Sequence, residues 1–176
     1  MRTALVSILL ATCFAALPAG AAAAPPLFAA ASSCPGEVAT DAPPAAQERA
    51  MLCLTNAARH AAGRRELVPA KPLWRAAAHK SADILGCDEF SHEACGRDFT
   101  YWIQRFGSCG AAAENIAWGT GPLGTVQAIF RAWMHSPGHR ENILGPYTQI
   151  GIALRVGDLE GNSGAHVWTQ DFGRGC

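Results

Sequence analysis

The sequence predicts a single α+β domain, with helices in its first part and a small sheet in its last third. Three observations carry that prediction. Apolar residues recur at helical spacing in three separate stretches between residues 44 and 135. The C-terminal third then changes to two runs of strand-forming residues around a Gly-, Asn- and Asp-rich connection. Finally, 49% hydrophobic residues and equal numbers of basic and acidic side chains, 14 of each, exclude a disordered chain. The same neutral balance argues against a general binder of nucleic acid or anionic membranes, which gains affinity from a basic excess.

The elements follow in order. Asp41 is positioned to cap a helix over 44–62, with Ala46, Ala50, Cys53, Leu54, Ala57 and Ala61 at helical spacing and Gly63 as the stop. Asn56 and Arg59 lie three apart on it and can reach a common neighbour. Pro72 suits the first turn of a second helix, which buries Leu73, Ala76, Ala77, Ile84 and Leu85 and ends at Gly86. A third helix is expected near 123–135, with Val126, Ile129, Phe130 and Trp133 inward. Pro137 disfavours helical geometry at Ser136, and Ser136 can cap a new short helix starting there. Gln149–Val156 and Ala165–Phe172 read as an antiparallel pair of strands, with a loop over 157–164. Helices first and strands later make the domain α+β.

Residues 1–24 have the pattern of a secretory signal peptide: Arg2, an apolar run from Ala4 to Leu17, then small residues with Ala-x-Ala sites. Pro18, Gly20 and Pro25-Pro26 interrupt the run, leaving it short of the roughly 20 apolar residues of a membrane span. No transmembrane span is therefore expected in the mature protein. Residues 25–44 form an Ala- and Pro-rich lead-in, and 45–176 the folded domain. Export would discard Cys13 and leave six of the seven cysteines: Cys34, Cys53, Cys87, Cys95, Cys109 and Cys176. An even number in an exported chain points to three disulfides. The short Cys87–Cys95 loop can close without spanning the fold. Spacing leaves the other four unpaired. No CxxC pair suggests a zinc ribbon or a redox site.

Candidate chemistry rests on three residues. His92 follows Phe90-Ser91 in an irregular Gly- and Cys-rich stretch. His139 stands near a helix start, where the positive helix end favours neutral imidazole, the metal-binding form. Glu114 lies among small and apolar residues, so if buried it needs a partner. His135 and His139 are four apart, but Pro137 lies between them and breaks the helix that a metal clip would need. His60, His79 and His166 read as ordinary structural or surface imidazoles. The HExxH, Gly-x-Ser-x-Gly and phosphate-loop patterns are absent.

Several blocks now carry a resemblance. They are Leu54-Thr55-Asn56-Ala57-Ala58-Arg59; Leu73-Trp74 with the His79–Asp83 stretch; Phe90-Ser91-His92; Glu114-Asn115-Ile116-Ala117; Trp133 through Leu144; and Val167 through Gly173. In this order the chain resembles the CAP superfamily, the SCP-like extracellular domains. These include cysteine-rich secretory proteins, insect venom allergens and plant pathogenesis-related proteins of group 1. The Ser-Pro-Gly-His-Arg form is similar to the bacterial branch. The resemblance implies an α-β-α sandwich with a small antiparallel sheet between helical layers, and a cleft lined by two histidines and two acids. His92, Glu114 and His139 match three of those positions. Ser136 stands where the eukaryotic pattern has the second acid, and a hydroxyl cannot replace a carboxylate as base or anionic ligand.

The expected function is a secreted or periplasmic binding module. Its cleft of His92, Glu114, Ser136 and His139 would take a lipid, sterol, cell-wall or protein ligand, or a divalent cation such as zinc on His92 and His139. The alternatives are a metal-assisted hydrolase with Glu114 as the candidate catalytic base, and a structural or stress-protective envelope protein. Two imidazoles are fewer than the three protein ligands usual for catalytic zinc.

Overall fold

The computed structural model describes residues 34, 35 and 39–176. The expected signal segment, Cys13 and most of the lead-in lie outside the described residues. Helix α1 spans Pro44–Ala61. Its N-cap is Pro43 rather than Asp41, and no side chain caps it. Pro44 already has helical φ and needs no donor partner, so the helix starts there, out of Asp41's reach. Two polar residues of α1 tie it to later parts of the chain. Asn56 exchanges hydrogen bonds with both backbone groups of Leu67 (3.1 and 2.9 Å). Arg59, only 2% exposed, donates to the carbonyls of Arg65, Ile143, Gly145 and Tyr147.

Strand β1 is Val68–Pro69 and helix α2 is Lys71–Gly86. The buried stripe of α2 holds Leu73, Ala76, Ala77 and Ile84, and also Lys80 and Ser81. Helix α3, Thr100–Phe106, and strand β2, Ala111–Gly119, are not evident in the sequence pattern. The first has seven residues with Ile103 alone fully buried, too few to show a period. The second is half alanine and glycine, poor strand formers on their own, and is made a strand by its partner. Helix α4, Val126–His135, begins later than expected because Thr125 caps it, accepting from Ala128 N–H at 3.2 Å, and 121–124 form a 3₁₀ turn. Ser136 separates α4 from helix α5, Pro137–Leu144.

Strands β3, Gln149–Leu159, and β4, Asn162–Arg174, replace the expected long loop with a tight hairpin. Glu160 and Gly161 have φ of 49° and 77°. Two positive φ values in succession match the right-handed twist of the strands. The sheet order is β1-β3-β4-β2, antiparallel except for the two-residue parallel pairing of β1 with β3.

Side chains alternate across β4 and split the interior into two layers. Trp168 and Phe172 join Ile150, Ile152 and Leu154 under α1, α4 and α5. Ala165 and Val167 face the other way, packing with Ile84 of α2, and Ala153 of β3 packs there against Ala77 and Ala78. The result is an α-β-α sandwich. Disulfides join Cys34 to Cys53, Cys87 to Cys95 and Cys109 to Cys176. The last pins the C-terminus to the start of β2.

Arg59→Ala strips four carbonyls of a charged donor. It is expected to lower unfolding free energy by more than about 3 kcal/mol, since each orphaned buried group costs about 1–3 kcal/mol. Urea denaturation with an unchanged slope checks this; a loss under about 1 kcal/mol would contradict the tie between α1 and the end of α5.

Candidate functional site

The pairing of β2 with β4 sets the site. Glu114 lies opposite Asp171, and Asn115 opposite Gln170. With period-two alternation the two acids share the α2 face, and the two amides share the α1/α5 face.

On the α2 face, the Glu114 and Asp171 carboxyls lie within hydrogen-bonding reach of each other. Glu114 Oε1 is 2.7 Å from His92 Nδ1. Glu114 Oε2 and Asp171 Oδ1 have no other partner. A proton held between the carboxyls satisfies both atoms, turning one acid into a donor. Burial raises the Glu114 pKa, opposed by the His92 hydrogen bond and the Lys80 charge. Burial, then the charge of Glu114, pushes Asp171 well above the usual carboxylate range. Lys80, 1% exposed, is the compensating cation.

Lys80 also builds the segment that carries His92. Its ammonium donates to the carbonyls of His92 (2.6 Å) and Arg97 (3.1 Å). Asp83, one turn further along α2, accepts from Arg97 (2.8 Å) and from the Trp102 indole (2.7 Å). The Cys87–Cys95 bond closes the segment. An irregular stretch is thereby held on a rigid helix, with the His92 side chain half exposed at 49% and that of Glu114 at 1%.

On the other face, Asn142 of α5 donates to the Glu114 carbonyl (3.2 Å) and to Asn115 Oδ1 (2.9 Å). Asn115 in turn donates to the His139 carbonyl (3.2 Å) and to Gln170 (3.3 Å), and Gln170 to Thr55 of α1 (3.0 Å). His139 Nδ1 is 2.8 Å from Ser136 Oγ. Ser136 holds the N-cap position of α5 without capping a backbone N–H. The pair thus resembles a capping box in which the third helical residue is His rather than Glu. Burial, then the charge of His92, lowers the His139 pKa and keeps its imidazole neutral.

A cavity of about 490 Å³ opens at this edge of the sheet, lined by His92, Phe99, Ala112, Glu114, Asn142 and Tyr147 among others. The structure therefore brings His92 and Glu114 into direct contact. It sets His139 and Ser136 beside them, hydrogen-bonded to each other. His135 sits apart on α4, its Nδ1 against the Arg131 carbonyl at 2.8 Å. His79 stacks on Trp102 with centroids 4.3 Å apart, and His166 contacts backbone carbonyls.

The donor set does not suit a metal. Among the described residues, no three His, Cys, Asp or Glu side chains converge as a metal site would need. Glu114 Oε1 is taken by His92, and its other oxygen faces Asp171. Two imidazoles do not fit a catalytic zinc.

Lys80, Asn142 and Asp171 belong to the site, and no motif in the sequence singles them out. Lys80 has a signal: it sits three residues after Ala77 and four before Ile84, on the helix's buried stripe. Asp171 has the signal that singles out Glu114, a carboxylate between apolar strand residues.

The carboxyl pair makes stability depend on pH. Both acids have raised folded pKa values, so their contribution is fully present below the ordinary carboxylate pKa of about 4 and is lost as pH rises through the folded values. Asp171→Asn can donate to Glu114 without a shared proton. The decline of melting temperature with rising pH is expected to be shallower in that variant than in the parent; equal slopes would refute the shared proton.

The model of the cysteine-rich secretory protein family, CAP, matches residues 52–172. The chain is 38% identical over 131 residues to YkwD of Bacillus subtilis, covering 72% of this chain and 47% of that protein. It spans about half the length of that relative. A crystal structure of an extracellular SCP-domain protein from Bacillus anthracis matches with a TM-score of 0.64 at 24% identity, over 74% of this chain and 41% of the other. An outer surface protein of Borrelia burgdorferi matches with a TM-score of 0.61 at 17% identity, over 70% and 89%. At such identities the two structures speak for the fold alone. With the family model running from the middle of α1 to the end of the central strand, and the same layered architecture around it, the chain belongs to the CAP family of cysteine-rich secretory proteins.

Proposed function

We propose that this chain is an exported binding module whose ligand enters the cleft between His92, Glu114 and Tyr147. The observation that carries this is the cleft's make-up. A buried carboxyl pair and one half-exposed imidazole stand at a cavity otherwise walled by Phe99, Ala112 and Tyr147. A few convergent polar groups in an apolar cavity are the usual form of a small-molecule site. His92 uses Nδ1 on Glu114, which leaves Nε2 to meet a ligand. The matching ligand has a small hydrogen-bonding group on an apolar body, as lipids and some cell-wall fragments do.

Three disulfides support export, because such bonds persist in oxidising compartments. So do the matched structures, described as an extracellular protein and an outer surface protein. The signal-like pattern of residues 1–24 agrees. Hydrolysis is the weaker reading. The Ser136 hydroxyl is engaged with His139 at a helix start, and the donor set does not suit a zinc-bound water.

Calorimetry of the purified protein against lipid extracts and cell-wall fragments tests the proposal. Binding is expected for one class and is expected to weaken at least tenfold in His92→Ala. Glu114→Gln should leave melting nearly unchanged, because its amide can donate to Asp171. Failure of every class would leave the structural envelope role instead. A zinc-dependent rise in melting temperature that vanishes in His92→Ala would restore the metal reading.

A further inference from the structure

A second feature lies away from the His92 cleft, at the far end of α2. A groove of about 470 Å³ runs between the start of α1, the start of α2 and β3. Its walls are Leu52, Pro69, Ala70, Trp74, Ile150 and Ile152, and Arg49 and Lys71 also line it. Gly151 forms its floor, where a Cβ would collide with the Leu73 and Trp74 backbone, so the groove's depth depends on that glycine. On the other side of Trp74 is a smaller cleft of about 260 Å³, lined by Arg75, His79 and Arg155 among others. One indole, 41% exposed, therefore stands between two recesses carrying four permanent cations.

The single acid lining either recess is Glu48, and it is already engaged. Its Oε2 accepts from the Trp74 indole and its Oε1 from Leu154 N–H, both at 3.1 Å. The indole is thus fixed in an exposed position. Arg75 lies over the Phe106 ring at 4.1 Å, and Arg155 donates to the Leu154 carbonyl at 2.8 Å; both keep their charge near the surface. Val68, 63% exposed, extends the apolar edge beside Pro69.

Helix stability does not account for these charges. Lys71 begins α2 and Arg75 follows one turn on, with no acid in the first turn and no base in the last. Five acids crowd the stretch from Asp83 to Asp98, where the helix ends. The macrodipole favours the opposite arrangement. The neutral total therefore conceals two poles of opposite sign, and neutrality alone is no argument against an anionic partner.

We propose that the Trp74 face is a docking surface for an anionic lipid bilayer. Cations beside an exposed indole and an apolar groove match the boundary between head groups and acyl chains. A glycan would need hydrogen-bonding side chains along the groove, and its walls have few. A single carboxylate would need one or two cations, whereas four spread over two recesses match an extended anionic surface.

Co-sedimentation of the chain in its exported form with phosphatidylcholine vesicles, with and without phosphatidylglycerol, tests this. Binding is expected to the phosphatidylglycerol vesicles alone, with a loss of at least tenfold when salt rises from about 50 mM to about 500 mM, as screening of surface charge requires. The Lys71→Glu/Arg75→Glu double variant should lose binding by at least tenfold, with its circular-dichroism melting unchanged because both side chains are exposed. Equal binding to neutral vesicles, binding to neither, or undiminished binding by the double variant would overturn the proposal. Binding to soluble polygalacturonate in place of vesicles would also overturn it and assign the face to a glycan.

Discussion

The register between β2 and β4 is the constraint on which the rest of the molecule depends. It sets Glu114 opposite Asp171 and Asn115 opposite Gln170. A slip of one residue would turn every side chain of β2 to the other face. The acids would then leave Lys80 and His92, and the amides would lose the chain of hydrogen bonds that runs from Asn142 through Asn115 and Gln170 to Thr55. Buried polar groups are costly when unpaired, so each wrong register carries several such penalties. The polar interior thereby specifies a single pairing for an alanine-rich strand whose own propensity is weak.

The same strand lies at the edge of the sheet, and its exposed carbonyls are covered by side chains. Trp133 donates its indole N–H to Ile116 at 3.1 Å, and Asn142 donates to Glu114. Glu48 does the equivalent for Leu154 on β3. An open edge invites pairing with another chain; here α1, α4 and α5 supply the missing partners. The cleft exists because the cover at β2 is a helix end and an irregular segment rather than another strand. His92 approaches from one side of the sheet and His139 from the other.

Much of this was legible in the residues. The helices over 44–61, 71–86 and 126–135 announce themselves through apolar spacing, Pro at their starts and Gly or Pro near their ends. Glu114 is legible as a buried acid because nothing around it is polar enough to leave it in water. Strand β2 is not, since alanine and glycine favour no sheet and its partner lies some 50 residues away. Helix α3 is too short to show a period. Asp171 and Lys80 look ordinary in a strand and a helix until the fold sets them against Glu114.

By itself the sequence determined an α+β domain, an even set of six cysteines beyond Cys13, and the identity of His92, Glu114 and His139 as candidates. These come from local patterns: periodicity, composition and motif order. Only the tertiary structure decided which cysteines pair beyond the short loop, that Glu114 shares its site with Asp171 and Lys80, and that basic and acidic residues separate along α2. Each of these depends on distances between residues remote in sequence. A linear pattern holds no such distances, whereas packing sets them.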